Sequence, residues 1–291
     1  MNLNDIEWSC ALRRKGDKAP FKQIRNPWWG WTADPFLIEE DGVTYVFAEI
    51  WNKFLQKGSI GYLKIVDGKR KKWKVAINEW YHMSYPFIWK DDNGYHICAE
   101  TGRINQTYRY DAVLFPQKWK KSMVYNTGLK LADTTFLFDN NMQIQLAFSY
   151  LIEGNAGKLI SLNTSWNGKY EIISEDTHNA RMAGAFIQDL GETYRLAQMC
   201  DESYGKGICI NKILAREKYQ EELLKEIMFT KDICKCKYEI IGMHTYNQSN
   251  KYEVIDLRYR HFDPINFACF YILKFLNFVA RSILKVFCIR K

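Results

Sequence analysis

ADPFLIEEDGVTYVFAE (33–49) is the stretch that decides the fold. A run of apolar residues leads from Ala33 to Glu40, Asp41 and Gly42 supply a tight turn, and Val43–Glu49 returns with apolar residues at alternate positions. That is the pattern of a β-hairpin. The pattern recurs as SYPFIWKDDNGYHICAE (84–100), DTTFLFDNNMQIQLAFS (133–149) and AGAFIQDLGETYRLAQM (183–199). Aligned on Phe36, Phe87, Phe136 and Phe186, the copies lie 51, 49 and 50 residues apart. A weaker fifth copy, HTYNQSNKYEVID, begins at His244. A period near fifty with several strands per unit marks a β-propeller. The sequence therefore predicts an all-β, five-bladed β-propeller over residues 1–262, with a short amphipathic C-terminal helix over 263–291. Lys212–Ile227 is rich in helix formers and reads as an insertion in blade four.

The composition agrees. The 291 residues are 47% hydrophobic and 25% charged, which excludes wholesale disorder. The net charge is +8, but Ile265–Lys291 holds five basic residues and no acid, so the body is nearly balanced. A nucleic-acid partner is therefore not expected, since that reading needs a basic stripe on the folded body. The Lys69–Lys72 run reads as a solvated turn. Eight cysteines show no zinc-ligand spacing and read as reduced, buried thiols. Neither a metal nor an organic cofactor is expected, and no GxGxxG fingerprint occurs. The first residues lack an apolar export segment, which predicts a cytoplasmic protein.

Register converts the repeat into chemistry. With turns centred at Asp41/Gly42 and Asp92/Asn93, Asp34 is predicted to face Glu49, and Tyr85 to face Glu100. Ser149 and Met199 hold the same repeat position in the next two copies. Inner strands line a propeller's channel, so equivalent positions gather at one mouth. Asp34, Glu49, Tyr85, Glu100, Asp133, Arg181 and His244 are expected to share a pocket there, with Arg195 and Gln198 reaching it from blade four. Clustered carboxylates drive their pKa values apart, as acid/base chemistry requires. Trp28, Trp29 and Trp31 are read as a stacking wall for a sugar ring.

Nine motifs carry a family resemblance: WTADPF (31–36), YVFAE (45–49), MSYPF (83–87), CAETGR (98–103), LFPQKW (114–119), ADTTF (132–136), RMAGAF (181–186), YRLAQMCDESYG (194–205) and GMHTYN (242–247). In this order the chain resembles the N-terminal propeller domain of glucosamine inositolphosphorylceramide transferase and stand-alone bacterial proteins of surface-polysaccharide synthesis. That group is similar in turn to family-43-like glycoside hydrolases. The resemblance implies that Asp34 matches a first-blade carboxylate, that Asp133 matches a later one, and that Glu100 is the proton donor. Tyr85 stands where many such hydrolases keep an aspartate.

The tail FACFYILKFLNFVARSILKVFCIRK (267–291) places Lys274, Asn277, Arg281, Ser282 and Lys285 on one helical face. It reads as an amphipathic helix lying in a membrane interface, making the protein peripheral at the inner membrane. The expected function is glycosyl transfer in surface-polysaccharide assembly at the cytoplasmic membrane face. The expected partners are a sugar or glycan, a nucleotide sugar and a lipid-linked acceptor. Asp34 or Glu100 would be the base, and Arg181 and Arg195 would steady a diphosphate. The alternatives are a glycoside hydrolase and a non-catalytic glycan-binding propeller.

Overall fold

The computed structural model describes residues 6–289 apart from 155, 202 and 231; for 128, 156 and 281–289 it describes the backbone alone. Five antiparallel sheets form the five blades of a propeller. Blade one runs Gly30–Glu40, Val43–Asn52 and Lys57–Val66, with Lys69–Arg70 and Lys74–Ile77 on its outer edge. Blades two and three each contain four consecutive strands, spanning Ser84–Asp91 to Lys118–Thr127 and Leu131–Phe138 to Tyr170–Ser174.

Blade five is completed by the other end of the chain. Ile6–Arg14 pairs with Tyr252–Arg260 over nine residues, from Ile6 opposite Arg260 to Arg14 opposite Tyr252. This ladder closes the ring between the first and last strands, so neither is left as an open edge.

The repeated phenylalanines are what the blades pack with. Phe36 meets Phe87 at 5.8 Å between centroids, and Phe87 meets Phe136 at 5.5 Å, both edge to face. All three are buried. Truncating such a ring costs about 3–5 kcal/mol, so the packing explains the period.

The insertion expected at Lys212–Ile227 is absent. Gly207–Ala215 and Gln220–Met228 are the outer two strands of blade four. The helix formers of QEELLKEIM lie on an exposed edge, where charged side chains blunt further pairing. Tertiary pairing overrides local propensity there.

The helix Pro264–Ile289 follows directly. Asp263 caps it, accepting the backbone N–H groups of Ile265 at 2.8 Å and Asn266 at 3.2 Å, and Pro264 occupies the first turn. Lys53 pairs with Asp263 and, at 3.0 Å, with Glu7, while Gln56 donates to Asn266 at 2.7 Å. These contacts pin the helix start to blades one and five. Among the described residues no helix is long and apolar enough to cross a membrane. The side chains of Arg281, Ser282 and Lys285 lie outside the described residues, and so do Arg290 and Lys291.

Candidate functional site

A β-bulge at the same place in three blades shapes the pocket. Between Ala33 and Phe36 two residues oppose one on the next strand, and the same shift occurs at Ser84/Phe87 and Ala132/Thr135. The first bulged residue lies in the left-handed region each time: Asp34 at φ 51, Tyr85 at φ 45 and Asp133 at φ 51. Aspartate tolerates that conformation, whereas a tyrosine there is rare. Bulges re-aim side chains and break simple pairing arithmetic. Ala33, not Asp34, therefore opposes Glu49, and Ser84, not Tyr85, opposes Glu100. In blade three Tyr150, rather than Ser149, opposes Ala132.

Asp34, Glu49, Glu100, Arg181, His244 and Trp31 come together around a cavity of about 220 Å³. Trp8, Trp51, His82 and Tyr204, which the sequence reading missed, complete it. Trp31 and Trp51 stack at 5.3 Å with 6° between planes, and Trp8 stacks on His244 at 4.2 Å. The Arg181 guanidinium sits 5.2 Å over the Tyr204 ring. The walls are thus aromatic and the floor is ionisable.

Asp34 is held from three sides. Thr245 Oγ1 donates to its Oδ1 at 3.1 Å, the Tyr85 N–H donates to Oδ2 at 3.2 Å, and His244 Nε2 lies 3.4 Å from Oδ1. Burial raises its carboxyl to about 6, opposed by His244 and reinforced by Asp256 and Asp133. Asp256 accepts the backbone N–H groups of Asp34, His244 and Thr245, and its Oδ2 lies 2.6 Å from His244 Nδ1. Burial opposes the His244 charge, but Asp256 and Asp34 outweigh it and raise that pKa. Asp256 shifts the opposite way: burial is overcome by His244, and its pKa is lowered.

Glu100 is pushed up to about 8, chiefly by burial and then by Asp133, with Arg181 opposing. The Arg181 Nη2 lies 3.7 Å from its Oε2. Glu49 is raised well above the carboxylate range by burial, Asp34 and Glu100. Its neighbour His82 accepts the Gly58 N–H at Nδ1 over 2.8 Å, and burial followed by Arg103 and Lys57 lowers it to about 4. His82 is therefore neutral at pH 7, with its proton on Nε2, 3.8 Å from Glu49. Gly58 is required there, because a Cβ would collide with Glu49 Oε1 and the Met83 carbonyl.

Other expected members sit behind the pocket. Asp133 is 1% exposed, and its Oδ2 accepts from Arg181 Nε and, at 3.0 Å, from Gln198. Gln198 is fully buried and also donates to the Met182 carbonyl at 2.7 Å, so it orients Asp133 rather than meeting a ligand. Tyr85 is fully buried too; its hydroxyl bonds Thr135 at 2.9 Å, because the bulge turns the ring into the core. Arg195 does not reach the pocket. It is fully buried and bound to Glu221 at 2.5 and 2.7 Å and to the Asn179 carbonyl at 2.8 Å. Its strand position aims it outward in the blade, where a desolvated guanidinium needs a carboxylate. Trp28 and Trp29 line a different cavity, apart from Trp31.

Among the described residues, two groups place ligand atoms within 4.8 Å of one another, as a metal would need: Asp34, His244 and Asp256, and His178, Cys209 and Glu226.

Fold and pocket together define the class as a closed five-bladed propeller with a carboxylate-rich, aromatic-walled pocket. Within that class, a family model described as glucosamine inositolphosphorylceramide transferase 1, N-terminal, matches residues 26–248, and the chain belongs to that family. It is 32% identical over 211 residues to glucosamine inositolphosphorylceramide transferase 1 of Arabidopsis thaliana, covering 65% of this chain and 26% of the relative. The protein of the same name from Oryza sativa subsp. indica is 26% identical over 249 residues, covering 81% and 31%. The chain thus spans roughly a quarter to a third of these relatives' length. Among solved structures it is similar to the catalytic domain of a GH62 α-L-arabinofuranosidase from Coprinopsis cinerea, with TM-score 0.58, 12% identity and coverage of 87% and 98%. A thermostable family-43 glycoside hydrolase matches with TM-score 0.51 at 11% identity, covering 80% and 91%. At these identities the likeness is one of fold.

Proposed function

We propose that the propeller is a carbohydrate-active catalytic domain that transfers a glycosyl unit to an acceptor hydroxyl. The observation that carries this is one aromatic-walled pocket holding two carboxyls of opposite protonation. Asp34, near 6, is an anion at neutral pH, while Glu100, near 8, keeps its proton. That is the division between a general base and a general acid. Glu100 presents its proton to the oxygen leaving the anomeric carbon, as a hydrogen bond where that oxygen belongs to a phosphate and as a full transfer where it is glycosidic. Asp34 takes the proton from the incoming hydroxyl. Arg181, already paired with Asp133, stands beside Glu100, where it steadies an anionic leaving group. Trp31, Trp51 and Tyr204 supply faces for sugar rings.

The biological setting we propose is surface-polysaccharide assembly at the cytoplasmic membrane face, with a nucleotide sugar and a lipid-linked acceptor as partners. The exposed Ile272, Phe275 and Leu276 of the terminal helix support a membrane-interface role.

One observation favours a second reading, glycoside hydrolysis. A phosphate leaving group needs no proton, whereas a glycosidic oxygen does, and Glu100 is protonated. The deciding experiment incubates the protein with nucleotide sugars plus acceptors, and separately with oligosaccharides, and reads products by mass spectrometry. A lengthened acceptor supports transfer. Free sugar released from an oligosaccharide supports hydrolysis. Binding that persists without turnover, and that survives Asp34→Asn and Glu100→Gln, makes the domain a non-catalytic binder.

A further inference from the structure

The Lys69–Lys72 turn is exposed, as expected. It folds over a separate cavity of about 710 Å³ lined by Arg25, Arg70, Lys71, Lys72, Trp28 and Trp73, with Trp29 beside them. Arg70 donates to the Gln23 carbonyl at 2.8 Å, which ties the turn to the segment before Trp28. Among the described residues, Arg25, Lys71 and Lys72 have no carboxylate ion-pair partner. Trp28 is 78% exposed and meets Phe54 edge to face at 5.8 Å, so most of its ring surface is available. The Trp73 indole Nε1 is buried without a hydrogen-bond acceptor. That N–H is closed to solvent, so Trp73 contributes apolar ring surface to the cavity wall and not a hydrogen bond.

Cations alone would fit any polyanion, and tryptophans alone any flat apolar face. Together they fit rings that carry negative charge. Trp28 and Trp29 stand directly before Gly30, and Trp31 directly after it lines the carboxylate pocket, so one short stretch feeds both cavities. We propose that this cationic cavity is a second saccharide site that binds an anionic glycan. Sugar rings stack on Trp28, and ring carboxylates or phosphates pair with Arg25, Lys71 and Lys72. The inference rests on the reading of the chain as glycan-handling, but it concerns residues outside the catalytic pocket.

Calorimetric titration of the whole protein tests it, with oligogalacturonate, a phosphate-bearing mannan oligosaccharide, neutral cellohexaose and single-stranded DNA as probes. At least one acidic glycan should bind at least ~10-fold more tightly than cellohexaose, and the tighter of the two identifies the acid. Lys71→Glu with Lys72→Glu should abolish that preference. Trp28→Ala should weaken the acidic glycan several-fold without changing the melting temperature much, and Glu100→Gln should leave it unchanged. Equal binding of acidic and neutral glycans overturns the proposal, because the cations would then be unused. So does full affinity in Trp28→Ala, or tighter binding of DNA than of either acidic glycan. Turnover by Asp34→Asn and Glu100→Gln reports on the proposed function alone, so the two readings fail separately.

Discussion

Asp256 accepts the backbone N–H of Asp34 at 3.0 Å, across 222 residues of chain. One carboxylate on the last blade thus holds the strained turn that presents the first-blade carboxylate. It also holds His244, which faces Asp34 from the other side. Ring closure and the electrostatics of the candidate site are consequently one structure.

Glu100→Gln and Asp34→Asn should each lower kcat by roughly 10²–10⁴-fold, the usual worth of a positioned acid or base. Steady-state kinetics on the substrate found by the product assay checks this. Full activity in both variants would remove the two residues from the mechanism.

The pH profile of kcat/KM should be bell-shaped. Its acid limb lies near 6, where Asp34 loses activity by gaining a proton, and its alkaline limb near 8, where Glu100 loses its own. The limbs belong to the interacting pair. Glu100→Gln should abolish the alkaline limb in whatever activity remains.

Stability should fall as pH rises. Glu100 has a folded pKa near 8 against a reference of 4.5, so the folded state binds the extra proton between those values and loses that advantage as pH climbs. Glu49, raised by burial, acts in the same direction. The raised His244 also stabilises fully below its reference of 6.5 and loses that contribution above its folded value. Asp256 is lowered, so its stabilisation is lost only toward acid, below 3.8. Calorimetry should show a lower melting temperature at pH 9 than at pH 5.5. Glu100→Gln should narrow the gap, which is on the order of a few kcal/mol for one such group.

Arg195→Met should destabilise the fold by about 1–3 kcal/mol, because it leaves the partly buried Glu221 carboxylate and the Asn179 carbonyl without their donor. The double change with Glu221→Gln should recover part of that loss. Substrate KM should stay unchanged in the folded variant. A raised KM in urea-titrated, fully folded protein would return Arg195 to the site.

The wild-type chain should co-sediment with anionic vesicles. Phe275, 65% exposed, and Leu276 are the residues to change, and Phe275→Glu with Leu276→Glu should reduce binding at least ~10-fold. Equal sedimentation of wild type and variant would detach the helix from any membrane role.

The five-bladed ring and its family were legible without coordinates, because a repeat is a local property. Each copy carries its own turn residues, its alternation and its packing phenylalanine. Asp34, Glu49, Glu100, Arg181, His244 and Trp31 were legible for the same reason, as polar or aromatic residues at the channel end of blade strands. Facing pairs were not, since a bulge at Asp34, Tyr85 and Asp133 shifts the register by one residue; Pro35 and Pro86, which have no N–H for a ladder, are its one mark in ADPF and SYPF. Trp8, Trp51 and His82 lay outside the repeat argument, Asp256 closes the fifth copy without being singled out, and only ring closure brings Trp8 beside His244. The partner of Arg195 and the protonation of Glu100 depend on which groups meet away from water. Sequence sets which chemical groups are available and their spacing along the chain. Desolvation and Coulomb interaction act through space, between residues as near in sequence as Arg195 and Glu221, 26 positions apart, and as far as Asp34 and Asp256, 222 apart, and so were decided by the tertiary structure alone.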